Sequence, residues 1–221
     1  MKFDQFLSHY NLDFLSDIDI NIHEKMLNKY FSIFGKKENL VFFDVGSHAG
    51  SFIKTSYKYD NNIEIHAFEP HPFLSNYLRE NYKNIKVNEC CVSNQDGDCK
   101  INIPSLSVAI SSIIDRDIFQ ELEKTGQRVE KIESKSIKVD TYCKENGIQH
   151  IDYIKLDVEG AEFFVFDGAK DLLKNGQISA GQFEIGIDES GYNTDDIISL
   201  LESFGYEIDK CSPSDYFFHK R

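Results

Sequence analysis

The 221-residue sequence is short of cations: 24 lysines and arginines stand against 37 aspartates and glutamates, a formal net charge of −13. That balance disfavours bulk attraction to nucleic acid or to an anionic membrane, and better suits a neutral or cationic ligand. The five cysteines (Cys90, Cys91, Cys99, Cys143, Cys211) are odd in number and contain no C-x-x-C pair. This excludes a disulfide frame or a zinc ribbon and reads as reduced thiols of a cytoplasmic protein. No apolar run approaches the length of a membrane span, and the opening M-K-F-D-Q-F-L-S-H-Y carries an acid where a signal peptide is apolar. A substrate found outside the cell would on this reading be modified before export. No Pro/Gly/Ser-rich linker, internal repeat or low-complexity segment divides the chain, so one α/β domain over 36–221 is expected, preceded by a helical extension over 1–35.

What is present centres on residues 40–50, L-V-F-F-D-V-G-S-H-A-G, an apolar β-prone run that stops at an acid and opens into two glycines. Upstream, Met26, Leu27, Tyr30, Phe31 and Phe34 recur at three- and four-residue steps and predict a helix. It either packs on the outside of a sheet or covers a ligand mouth. Downstream, the pattern predicts a helix over 52–59, a strand over 63–68, a helix over 73–82 and a strand over 85–90. A β excursion is expected at 99–103, and a long irregular insertion over 104–137, where Ser111 and Ser112 are candidate substrate contacts. Periodicity resumes with a helix over 139–146, a buried strand over 151–156, a helix over 161–173 and a strand over 182–187. A helix over 194–204 and two β runs at 206–211 and 215–219 complete the chain, the runs forming an antiparallel edge hairpin. The order describes a doubly wound, mostly parallel sheet.

Three motifs lie where such sheets bind ligands. The glycine loop has no Lys-Ser or Lys-Thr after its second glycine, as a phosphate-cradling loop would, and His48 stands where a dinucleotide fingerprint needs glycine. What remains, D-x-G-x-x-x-G, is either a ligand cradle or a tight strand-to-helix turn. Glu69 closes the next strand at about the 20-residue spacing from which a carboxylate reaches ribose hydroxyls; the alternative is a solvated strand-end glutamate. Asp157, Glu159 and Glu162 follow the 151–156 strand. Asp157 and Glu159 are placed to polarise a hydroxyl, share a divalent ion or cap the next helix, whereas Glu162 suits capping or a surface role. Lys155 either snorkels or pairs with these acids. His48 is a base candidate or a helix-start donor, and Glu184 either points from the fifth strand into the cleft or lies exposed at an edge.

In order and spacing, five pieces resemble the FkbM-type methyltransferases, which use S-adenosylmethionine: F-F-D-V-G-S-H-A-G (42–50), A-F-E-P-H-P (67–72), C-V-S-N-Q-D-G (91–97), V-D-T-Y-C (139–143) and I-D-Y-I-K-L-D-V-E-G-A-E (151–162). The resemblance implies a Rossmann-like class I methyltransferase sheet with an antiparallel last strand. It implies that Asp44, Gly46 and Gly50 hold the methionine part of the cofactor, with Ser47, His48 and Pro70 in the same loops. Glu69 would bind the ribose, Cys91 and Val92 would border the adenine, and Asp157 and Glu159 would face the methyl group and acceptor. Two departures stand out: His48 replaces a usual asparagine, and Gly186 replaces a histidine common after Glu184. The expected activity is O-methylation of a sugar, glycan or similar small acceptor, with no metal assigned. Asp157, Glu159, Lys155, Glu184 and His48 are the catalytic candidates. A nicotinamide oxidoreductase would need a denser glycine fingerprint and a Tyr/Lys pair; a non-catalytic adenosine-binding module is the other alternative.

Overall fold

The computed structural model describes residues 17–105, 108–185 and 191–221. In chain order, α1 (Asp17–Phe34) precedes β1 (Val41–Val45), α2 (Ser51–Ser56), β2 (Glu64–Phe68), α3 (Pro72–Asn81) and β3 (Ile85–Asn88). β4 (Cys91–Val92), β5 (Gly97–Pro104), α4 (Asp117–Lys124) and β6 (Val129–Ile137) form the middle of the chain. Then come α5 (Val139–Asn146), β7 (Ile151–Leu156), α6 (Glu162–Asp167), α7 (Lys170–Lys174), β8 (Ile178–Glu184), α8 (Thr194–Ser203), β9 (Tyr206–Lys210) and β10 (Asp215–Lys220).

The main sheet grows around its most completely buried strand. β7 is buried at all six positions, and a strand covered on both faces needs strands beside it and helices above and below. β1 and β8 flank it in parallel, β2 and β3 extend the sheet past β1, and β10 runs antiparallel between β8 and β9. The seven-stranded order is β3-β2-β1-β7-β8-β10-β9. Chain progression reverses between β1 and β7, so their C-terminal ends open the crevice in which such sheets bind ligands.

Strand alternation sends Phe43, Phe68, Leu156, Phe183 and Phe218 into one core with Tyr142 and Phe166. Phe42, Tyr153 and Phe217 go to the other, where Met26, Leu27 and Tyr30 of α1 meet Phe52 and Ile53. Helix α1 therefore packs on the sheet, with Tyr30 edge-on to Phe42 and Tyr153 at centroid distances of 5.7 and 5.4 Å.

The insertion departs from expectation. The described residues of 104–137 are not irregular: they contain α4 and β6, and β6 pairs antiparallel with β5 from Gly97↔Ser136 to Pro104↔Val129 in a second sheet of order β4-β6-β5. β6, V-E-K-I-E-S-K-S-I, exposes charged side chains along most of its length, so its ladder with β5, rather than an apolar alternation, makes it a strand. The helix expected over 161–173 is split at Gly168, where a Cβ would lie 2.1 Å from the Ser93 carbonyl oxygen. The strand expected at 182–187 starts earlier, at Ile178, through small residues that pack under neighbouring strands; Gly186 and Ile187 lie outside the described residues.

Candidate active site

β1 ends at Val45 and turns at once, through Gly46 (φ 77°), His48 (φ 46°) and Gly50 (φ 86°). The N–H groups of Gly46 and Ser47 donate to the Phe68 carbonyl at 3.0 and 3.1 Å, and Ser47 Oγ donates to the Asp44 carbonyl at 2.7 Å. The Ser47 hydroxyl thus ties the loop to its own strand. A Cβ on Gly46 would meet the Asp157 carbonyl oxygen at 1.8 Å, so Gly46 is the point of contact between the two strand-end loops. His48 occupies the left-handed region, where asparagine, aspartate and histidine are the favoured non-glycine residues. That backbone demand accounts for histidine at a position where the resemblance leads one to expect asparagine.

Glu69 is not a solvated strand-end acid. It is only 6% exposed, and its two oxygens accept from His48 N at 2.8 Å and His71 N at 2.9 Å. One carboxylate joins the glycine loop to the turn that carries Pro70, and each oxygen keeps a lone pair for a hydroxyl. Burial pushes this carboxyl up to about 7, with the two backbone N–H groups opposing.

Lys155 does not snorkel. Buried within β7, its Nζ donates to the Gly46 carbonyl at 2.6 Å and lies 3.4 Å from Asp44 Oδ1 and 3.3 Å from Asp157 Oδ2. Burial alone would lower its pKa, but two carboxylates facing one ammonium hold it above the ordinary lysine value. Asp44 is wholly buried, and neither of its side-chain oxygens accepts a hydrogen bond of good geometry among the described residues. Burial raises its carboxyl, with Lys155 as the main opposing influence. A buried carboxylate with spare acceptor capacity beside a glycine loop suits the ammonium of an amino-acid ligand.

The second sheet reaches the same crevice. Glu159 sits at φ 54°; its Oε2 accepts from Arg116 Nη1 at 2.7 Å, and its carbonyl accepts from Ser112 Oγ at 2.9 Å. Ser112 is buried and also exchanges main-chain bonds with Asn102, so it clamps the acidic loop to the insertion. Burial, then Asp157, raises the Glu159 carboxyl against Arg116. Glu184 closes β8 with an exposed side chain that accepts from Ser214 Oγ at 3.3 Å. Its carboxyl is pushed up to about 7, first by partial burial and then by Asp157, Asp215 and Glu159.

The structure thus gathers Asp44, Gly46, Ser47, His48, Gly50, Glu69, Lys155, Asp157, Glu159, Ser112 and Glu184 around the C-terminal ends of β1, β2, β7 and β8. Cys91 and Val92 are buried strand residues whose side chains lie in two separate apolar clusters. Ser111 belongs to the insertion beside Ser112. Glu162 neither caps α6 nor lies at the surface: Ala161 is the N-cap, with no side-chain cap bond, and the buried Glu162 Oε1 accepts from Val158 N at 3.1 Å and Gly160 N at 3.3 Å of the preceding loop. Sequence reasoning missed Arg116, hidden in a polar insertion, and His23 of α1, which faces Lys155 and Asp157 electrostatically. Among the described residues no group of three or more His, Cys, Asp or Glu is arranged to hold a metal ion.

A mostly parallel seven-stranded sheet with one reversed strand, a glycine loop after its first strand and an acid closing its second define a class I S-adenosylmethionine-dependent methyltransferase. The methyltransferase FkbM domain model matches residues 44–208, and the chain belongs to the FkbM methyltransferase family. S-adenosylmethionine is its cofactor, which displaces the oxidoreductase alternative. The 31-O-demethyl-FK506 methyltransferase FkbM of Streptomyces tacrolimicus is 25% identical over 155 residues, spanning 59% of this chain and 60% of that protein. Among solved structures, precorrin-6y C5,15-methyltransferase from Geobacter metallireducens GS-15 is similar at a TM-score of 0.52 and 11% identity, covering 93% of this chain and 87% of its own. The METTL16 MTase domain is similar at 0.50 and 13% identity, covering 90% and 66%. At such identities the likeness is one of fold. No helix among the described residues is long and apolar enough to cross a membrane.

Proposed function

We propose that the chain methylates a hydroxyl of a sugar, glycan or similar small acceptor in the cytosol, with a carboxylate at the sheet's C-terminal edge taking the hydroxyl proton. The observation that carries this reading is the convergence of Asp157, Glu159 and Glu184 beside the cradle formed by Asp44, the glycine loop and Glu69. Asp44, Gly46 and Gly50 would hold the methionine end and Glu69 the ribose, with the main chain of Cys91 and Val92 at the adenine. Bound S-adenosylmethionine supplies an electrophilic methyl group on a sulfonium cation, whose charge the surrounding carboxylates favour.

A neutral hydroxyl is a weak nucleophile, so its proton must leave as the new bond forms. Asp157 is oriented by Lys155 and Glu159 by Arg116. Glu184 stands at the open end of β8, and partial burial together with Asp157, Asp215 and Glu159 raises its carboxyl above the ordinary glutamate value, which favours it as the proton acceptor. We assign it the proton transfer and give Asp157 and Glu159 the alignment of the acceptor, from which most of the rate should come. The relative from S. tacrolimicus is named for a 31-O-demethyl substrate, which favours oxygen as the acceptor atom. Methyl transfer from isotopically labelled cofactor to a panel of sugars and other hydroxylated acceptors tests the reading. Glu184→Gln should keep its affinity for S-adenosylhomocysteine and lose transfer by about 100-fold or more. An unchanged rate in that variant, or transfer confined to amines, would overturn it.

A further inference from the structure

We propose that His23 is a positioning residue of the methyl-transfer site, tying the N-terminal helix to the helix that opens the cofactor cradle through a directed chain of buried and partly buried hydrogen bonds. The matched family segment begins at residue 44, so His23 and the whole of α1 lie outside it.

The direction of the chain follows from its ends. Tyr153 Oη donates to Gln182 Oε1 at 3.1 Å. The other end of that amide therefore faces His23, and Gln182 Nε2 donates to His23 Nδ1 at 2.9 Å. An Nδ1 that accepts leaves the proton of a neutral imidazole on Nε2, which donates to Ser51 Oγ at 3.3 Å. Its place favours the neutral ring: burial first, and Lys155 second, lower the pKa of His23. The ring stands edge-on to Phe52 at 5.5 Å, so it is locked from the side as well.

Each member adjoins the site. Ser51 is the residue after Gly50 and the first of α2. Tyr153 lies two positions before Lys155 on one face of β7, and Gln182 two before Glu184 on one face of β8. The relay crosses a core that is otherwise aromatic and aliphatic, where an unpaired polar group is costly and a fully paired one fixes a single arrangement. Met26, Leu27 and Tyr30 already dock α1 by apolar burial, and Glu24, Asn28 and Lys29 add more exposed polar contacts to Lys58, Tyr59 and Asp209. What the relay adds is a fixed position for the first turn of α2, and with it for loop 46–50 that must close on the ligand.

This inference rests on the cradle reading, and calorimetric titration of the full chain with S-adenosylhomocysteine separates the two. His23→Phe keeps the ring on Phe52 and removes both nitrogens, so the dissociation constant should rise about tenfold. Ser51→Ala should weaken binding similarly, and the double variant should be no weaker than either single one, because both break one chain. His23→Gln, which offers an acceptor and a donor, should restore most of the affinity, a rescue that a packing role does not give. Wild-type affinity in His23→Phe, or additive losses, would overturn the relay while leaving the cradle intact. Should His23→Phe not fold, an unchanged constant in Ser51→Ala overturns it equally. A wild-type chain that takes up no ligand would remove the cradle and the relay together.

Discussion

Replacing Lys155 by methionine tests the charge balance at the centre of the site. Methionine preserves length and apolar contact, but it removes the ammonium 3.4 Å from Asp44, 3.3 Å from Asp157 and 2.6 Å from the Gly46 carbonyl. Asp157 is partly solvated and loses little. Asp44 is wholly buried, and removing one partner of a buried pair costs about 3–5 kcal/mol. The pH dependence has a definite sign. Burial already raises the Asp44 carboxyl, and without Lys155 nothing comparable opposes it. A carboxyl raised above its unfolded value of about 3.9 binds its proton more tightly in the folded state, so its penalty grows as pH rises from there. Urea unfolding at about pH 8 should show the full deficit, and at about pH 5 a smaller one. Adding Asp44→Asn should return part of the lost stability by removing the stranded charge. A single variant within about 1 kcal/mol of wild type at both pH values, or a double variant less stable than the single, would refute the reasoning.

Glu162 is buried with a carboxyl pushed up to about 7 while one oxygen accepts two backbone N–H groups; Glu162→Gln keeps that acceptor without the charge. It should gain about 1–3 kcal/mol at pH 8, and the gain should vanish below about pH 4.5, as chemical denaturation at the two pH values would show. Gly46→Ala forces a Cβ to within 1.8 Å of the Asp157 carbonyl oxygen at φ 77°. A loss of about 2–5 kcal/mol with parallel loss of cofactor affinity is expected, and a near-neutral thermal midpoint would contradict the close contact.

The parts of the fold legible in the sequence are those where burial writes itself into composition. β7 and the run ending at Asp44 are apolar because both faces are covered, and Glu69 stood out by its spacing from the glycine loop. β6 was hidden because its stability comes from pairing with β5, and a charged surface strand carries no alternation. The break at Gly168 depends on the backbone of Ser93, distant in sequence, which no local pattern encodes. In the site, Asp157 and Lys155 were visible because charge inside or just after an apolar strand is costly enough to signal a purpose. Arg116 and His23 were not, since each acquires its role only from a partner far along the chain: Glu159 for the first, Gln182 and Ser51 for the second. Ser112 reads as a candidate substrate contact from its loop, and the structure adds what no local pattern encodes, a hydroxyl that donates to the Glu159 carbonyl.

The most direct measurement is a calorimetric titration of wild type and Glu69→Gln with S-adenosylhomocysteine. Glutamine keeps the shape of Glu69 but has one acceptor oxygen for two backbone N–H groups and a ribose. Saturable one-to-one binding by the wild type, weakened about 10- to 100-fold in the variant, is the expected result. No binding by the wild type, or equal affinity in the two proteins, would contradict the placement of the cofactor between the glycine loop and Glu69.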